Sequence, residues 1–241
     1  MPTIIRLLLS TTLLVASAQA EQRQAYNSQS PDWLQAVGKL NVPGVQYKNG
    51  YGRHQLENCS GTLVAPRNSS HADTVVTAWH CLEYYRDLSK PITFTLTSVA
   101  GKTLSREAYR VADGGGMYAD WAVLKLYDSV STRQVKALEI HPQRADMQRP
   151  VTMAGFSGDA GVGADGAVLT YHASCNITRQ ASAQSESDCS AYKGASGGAV
   201  IQLSAEGRAQ LSGVISQGNN QTVSIYVPVS GFRRLLKQHL N

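Results

Sequence analysis

Three short windows of this 241-residue chain hold side chains that can cooperate in nucleophilic chemistry. In Thr77-Ala78-Trp79-His80-Cys81 a histidine closes a strand-like run and is followed at once by a cysteine expected in a disulfide, so its imidazole is held still. In Ala119-Asp120-Trp121-Ala122-Val123-Leu124-Lys125-Leu126 a carboxylate precedes a mostly apolar strand, where burial is costly unless a strong donor meets it. In Lys193-Gly194-Ala195-Ser196-Gly197-Gly198-Ala199-Val200 a serine stands among glycines, which let the backbone turn tightly and point its amides inward. Taken singly, each window has an ordinary explanation: a satisfied polar histidine, a solvated turn aspartate, a Gly/Ser turn. Taken together they describe a serine hydroxyl, a base to take its proton, a carboxylate to orient the base, and the N–H groups of Gly194 and Ser196 aimed at a developing oxyanion.

The elements that must position these groups read as short strands. β-branched and apolar runs broken by Gly, Asn, Asp and Ser fall at residues 60–65, 74–78, 92–97, 121–127, 151–156, 167–172, 199–203, 211–216 and 223–227. Nine such strands argue for barrels or sandwiches. Only the end reads as helix: after Ser230 as N-cap, Phe232, Leu235, Leu236 and Leu240 recur at helical spacing, and this helix is expected to dock on the second half. The charged, strand-poor stretch from Asp128 to Pro150 is the natural crossing between halves. Gly158 to Gly166 lacks the strand-then-helix setting of a phosphate cradle and reads as a flexible surface connection.

Met1 to Arg6, the apolar Leu7 to Ala16 and Ala18-Gln19-Ala20 follow the order of an export signal cut after Ala20. The apolar stretch is about 10 residues, short of the roughly 20 that span a membrane. The expected location is therefore periplasmic or extracellular. Residues 21–40 are either a pro-segment or an ordered N-terminal arm. Four cysteines lie beyond the signal, and an even number in an exported chain implies two disulfides. Of the three pairings open to them, spacing favours Cys59 with Cys81 and Cys175 with Cys189. Neither pair sits at the CxxC spacing of a zinc site, so no metal is expected. Lys and Arg exceed Asp and Glu by 22 to 17 without a basic run or interleaved aromatics, which gives no ground for a nucleic-acid partner. Asn58, Asn68, Asn176 and Asn220 each begin an N-x-S/T triplet, which matters only in a eukaryotic secretory route.

The order His80, Asp120, Ser196, with the Cys59/Cys81 pair and the run Ser212-Gly213-Val214-Ile215-Ser216-Gln217-Gly218, resembles the trypsin/chymotrypsin-like serine peptidases, and most closely their secreted bacterial members. The resemblance implies an all-β fold of two antiparallel six-stranded barrels. These would occupy residues 41–135 and 145–229, joined by a linker at 136–144 and closed by a C-terminal helix at 230–241. It implies His80 and Asp120 from the first barrel, Ser196 from the second, no cofactor, and protein or peptide substrates cleaved through an acyl-enzyme. Because the base must start neutral, activity is expected to fall on acidification through roughly pH 6 to 7. By the same resemblance Ser190 lies near the base of the primary pocket, with Ala191, Ser216, Gly218 and Ser224 around its walls, Lys193 at its rim and Gln217 on the substrate strand. No acid is present there to select Lys or Arg, and Ile215 stands where glutamate-specific relatives carry histidine. Small or apolar side chains are the expected preference. Two departures stand out: Ala195 replaces the aspartate that pairs with a freshly cut amine in animal members, and Trp79 replaces a small residue and would crowd the site. The rival functions are a catalytically impaired peptidase-like binding protein and an esterase on the same triad.

Overall fold

The computed structural model describes residues 23–86, 90–98 and 100–240. The export signal at 1–20 lies outside them. The chain enters through β1 (Gln24–Ala25) and a 3-10 turn, Asp32–Ala36. It then forms β2 (Val37–Lys48), β3 (Tyr51–Val64), β4 (His71–Thr77), β5 (Ile92–Thr97), β6 (Thr103–Asp113) and β7 (Ala122–Ser131). These six close into an antiparallel barrel in the order β2-β3-β4-β7-β6-β5, with Lys39 opposite Thr95 completing the circle. Strand β5 shows why: Ile92, Phe94 and Leu96 point into the core while Thr93, Thr95 and Thr97 point outward, the two-residue period of a sheet with one buried face.

The second half is built from β8 (Glu139–Ile140), β9 (Val151–Gly155), β10 (Thr170–Cys175), β11 (Ile177–Gln180), β12 (Ser185–Ser187), β13 (Ala199–Leu203), β14 (Ala209–Gly218) and β15 (Ser224–Pro228). With β1 they form a nine-stranded sheet in the order β1-β10-β9-β13-β14-β15-β12-β11, β8 pairing with β14 in parallel. The sheet curls as a half-barrel, so the expected second closed barrel of six strands is corrected: among the described residues no pairing joins β11 back to β1. The expected start of the first barrel at residue 41 is corrected as well. Strand β2 begins at Val37, and residues 23–36 are an ordered arm whose Gln24 pairs with Tyr171 and whose Leu34 is fully buried. Both disulfides form as the spacing suggested, Cys59–Cys81 and Cys175–Cys189.

The helix α1 (Arg233–Gln238) is shorter than expected, since residues 229–231 form a 3-10 turn and Phe232 takes the cap position. It docks on both halves: Arg233 Nε donates to His141 O at 3.0 Å, just after β8, and further contacts reach the first barrel. Phe232 stacks on Trp121 at 4.7 Å, and the His239 carbonyl accepts from Thr74 Oγ1 and Lys125 Nζ. The linker is stitched to β3 through Leu138 N–H to Leu63 O at 3.0 Å. Residues 158–166 are on the surface but folded on themselves: Asp165 N–H donates to Asp159 O, Gly163 N–H to the Asp159 carboxylate and Gly166 N–H to Ser157 O.

Candidate active site

His80 lies in a 3-10 turn, Trp79–Leu82, directly after β4, and Cys81 ties that turn to β3. Asp120 ends the turn before β7 and is wholly buried. Its carboxylate accepts three hydrogen bonds: Oδ1 from the His80 backbone N–H at 2.9 Å, and Oδ2 from His80 Nδ1 at 2.8 Å and from the Ser216 hydroxyl at 2.5 Å. Three donors offset the desolvation that would otherwise expel a charge from this position. An ionised carboxylate only accepts, so His80 Nδ1 is the donor of that bond. The His80 ring is 24% exposed, open enough for a substrate to approach.

Ser196 comes from the loop before β13, and its carbonyl accepts from Ser60 N–H at 2.8 Å, which fastens the second half to β3. The Cys81 sulfur lies 3.8 Å from the same oxygen, so Ser196 stands beside the residue following His80. The approach requires glycine at 197, where φ is +80° and an added Cβ would meet Thr77 Oγ1 at 2.1 Å. Among the described residues the Ser196 hydroxyl makes no hydrogen bond, to His80 or otherwise; such contacts often tighten only when substrate binds.

The amides of Gly194 and Ser196 also donate to no acceptor among the described residues. Their directions are fixed through the carbonyls of the same rigid peptides. Lys193 O accepts from Gly158 N–H at 2.6 Å and Ala195 O from Gly198 N–H at 2.9 Å. Gly194 has φ +95°, and a Cβ there would meet Phe156 O at 2.5 Å. Both amides are thus left free to donate to a group that enters the site.

Two clefts meet at this point. One of 340 Å³ is lined by Ala191, Lys193, Ser216, Gln217 and Gly218 from the expected pocket residues, with Ser196, Tyr192, Ile215 and Asn220. The other, of 250 Å³, is bounded by Lys39, Leu56, Glu57, Phe156 and Gly158, and shares Lys193 with the first. Ser190 and Ser224 line neither: the Ser190 hydroxyl donates to Gln221 O and the Ser224 hydroxyl to Cys189 O. Trp79 is among the lining residues of neither cleft. No carboxylate is among the residues of the first cleft. Each of the two Cys/His clusters, Cys59/His80/Cys81 and His172/Cys175/Cys189, has its sulfurs joined in a disulfide and so offers no thiolate to a metal.

Sequence reasoning missed several supports. The Ser60 hydroxyl accepts from Phe156 N–H and donates to Gly194 O, both at 2.8 Å, yet a serine within a strand gives no sign of partners 96 and 134 positions away. Gly158, read as part of a plain connection, holds the Lys193 carbonyl.

A closed six-stranded barrel, a half-barrel and a short C-terminal helix make up a chymotrypsin-like fold. The chain belongs to the trypsin-like peptidase domain family, which it matches over residues 59–209. Among solved structures it is similar to the thermostable serine protease AL20 from an extremophilic microorganism, at 19% identity and TM-score 0.62 over 86% of this chain and 98% of that one. It is also similar to the protease Anisep from Arthrobacter nicotinovorans, at 18% identity and TM-score 0.61 over 86% of this chain and 93% of that one. No curated protein sequence matches the chain.

Proposed function

We propose that this protein is a secreted serine endopeptidase that hydrolyses peptide bonds through His80, Asp120 and Ser196 and an acyl-enzyme intermediate. The observation that carries the reading is the buried Asp120 carboxylate binding His80 at both its backbone N–H and Nδ1, which leaves Nε2 as a free base. Ser196 Oγ attacks the scissile carbonyl while Nε2 takes its proton, and the N–H groups of Gly194 and Ser196 receive the charge that develops on the carbonyl oxygen. The imidazolium, stabilised by Asp120, then protonates the leaving amine, and a water repeats the sequence to release the acyl group.

The acyl side of the substrate would lie in the cleft of Ala191, Lys193 and Ser216 to Gly218, and the leaving side in the cleft of Lys39 and Phe156. With no carboxylate lining the first cleft, Lys and Arg gain no ion pair there, and small or apolar residues are favoured. Two disulfides suit an oxidising compartment, and no helix among the described residues is long and apolar enough to cross a membrane. A peptide-library digest tests the reading: cleavage after small or apolar residues, absent in Ser196→Ala, is expected. No cleavage by the wild-type protein would leave the impaired binding protein and the esterase as the better accounts.

A further inference from the structure

The N-terminal arm reaches the loop that precedes Ser196. The Arg23 guanidinium grips the Asp159 carboxylate with two parallel bonds of 2.7 Å, contacts Thr170 Oγ1 at 3.4 Å, and lies 4.4 Å over the Tyr192 ring. The paired side chains are only 8% and 16% exposed, so the fork sits largely out of water, where its geometry counts for most. Asp159 directly follows Gly158, whose N–H holds Lys193 O at 2.6 Å. Tyr192 directly precedes Lys193. The arm therefore holds Asp159, the neighbour of the donor to Lys193 O, and Tyr192, the neighbour of Lys193 itself, and a planar trans peptide whose oxygen is anchored has its N–H direction set. Strand β1 fixes the arm itself, by pairing Gln24 with Tyr171 and Ala25 with Thr170.

We propose that Arg23 is a positioning residue for the peptidase reaction, setting through Asp159 and Tyr192 the orientation of the Gly194 amide that receives the oxyanion. The docked arm is then part of the catalytic apparatus rather than a passive tether. This inference rests on the proposed function. Its effect belongs to the transition state: without the clamp the peptide can rotate, and a donor misplaced by an ångström loses much of its value.

The test uses the full protein and a peptide taken from its own library digest. Arg23→Gln and Asp159→Asn are each expected to lower kcat about 10- to 100-fold with KM nearly unchanged. The inhibition constant of the matching peptide aldehyde, whose adduct places an oxyanion on the same amides, should rise by a similar factor. The double variant should be no worse than either single one, and Arg23→Lys, which keeps the charge without the fork, should recover part of the loss. Melting curves establish that each variant is folded; if Arg23→Gln does not fold, the isosteric Asp159→Asn carries the test. An active wild type whose folded variants keep kcat and aldehyde affinity within about threefold overturns the inference alone. A wild type that neither cleaves peptides nor reacts with a fluorophosphonate overturns the peptidase reading and this inference with it.

Discussion

Replacing Asp120 by asparagine separates what this buried group does for the fold from what it does for the reaction. The native carboxylate accepts from His80 N–H, His80 Nδ1 and Ser216 Oγ and is wholly buried. An amide of the same shape offers one acceptor and one donor group. With its carbonyl on the His80 N–H, its NH2 faces the Ser216 hydroxyl, which can rotate to accept, and His80 Nδ1, which can accept only as the Nε2–H tautomer. Every buried polar atom then keeps a partner, and the fold loses only the charge reinforcement of those bonds, up to about 3 kcal/mol. The reaction loses its base, because Nε2–H cannot take the Ser196 proton. Loss of the correct tautomer in such a triad costs about 10⁴-fold in kcat, or roughly 5.5 kcal/mol of barrier. Steady-state kinetics give the rate, thermal melting gives the stability, and nitrogen NMR of the His80 ring gives the tautomer. A folded Asp120→Asn enzyme with kcat within about tenfold of wild type would refute the reasoning.

Three further outcomes follow from the geometry. Gly194→Ala places a Cβ 2.5 Å from Phe156 O at φ +95°, so it should cost about 1–3 kcal/mol in melting experiments and lower kcat more than it raises KM. Removing the Cys59–Cys81 bridge, which spans 22 positions, should destabilise the protein by about 3 kcal/mol in denaturant titration and slow turnover, since His80 loses its brace. The Arg23 guanidinium holds the Asp159 carboxyl below the ordinary carboxylate range, so the pair's stabilisation is complete above the unfolded value of about 3.9 and is lost as pH falls through the lower folded value. The melting-temperature gap between wild type and Asp159→Asn should be widest near neutral pH and close below about pH 4; a gap that widens on acidification would show the sign to be wrong.

The parts of this protein legible in its sequence are those where one residue's own surroundings dictate its role. Strand β5 alternates Ile, Phe and Leu with Thr and reads directly, and His80, Asp120 and Ser196 stand out because each combines a reactive type with a constraining neighbour. Strand β2 is harder to see, since Pro43 and Gly44 interrupt it, and the outer half of β3, from Tyr51 to Glu57, alternates little because it extends beyond the barrel with both faces largely in water. Strand β6 is missed for a similar reason, as its charged and polar residues cover an outer face. Closure is likewise invisible in a strand count: whether nine strands form one barrel or two depends on pairings such as Lys39 with Thr95, which no local pattern encodes. The same limit applied to the site. Ser60, Gly158 and Arg23 act through contacts with residues far away in the chain, and nothing beside them in the sequence marks them out.

The most direct measurement is covalent labelling of the folded protein with a fluorophosphonate, followed by proteolysis and mass spectrometry. One adduct per chain, on Ser196, is expected, with none in Ser196→Ala and labelling slowed severely in His80→Ala. A folded wild-type protein that remains unlabelled, or that carries the adduct on another serine, would contradict the account.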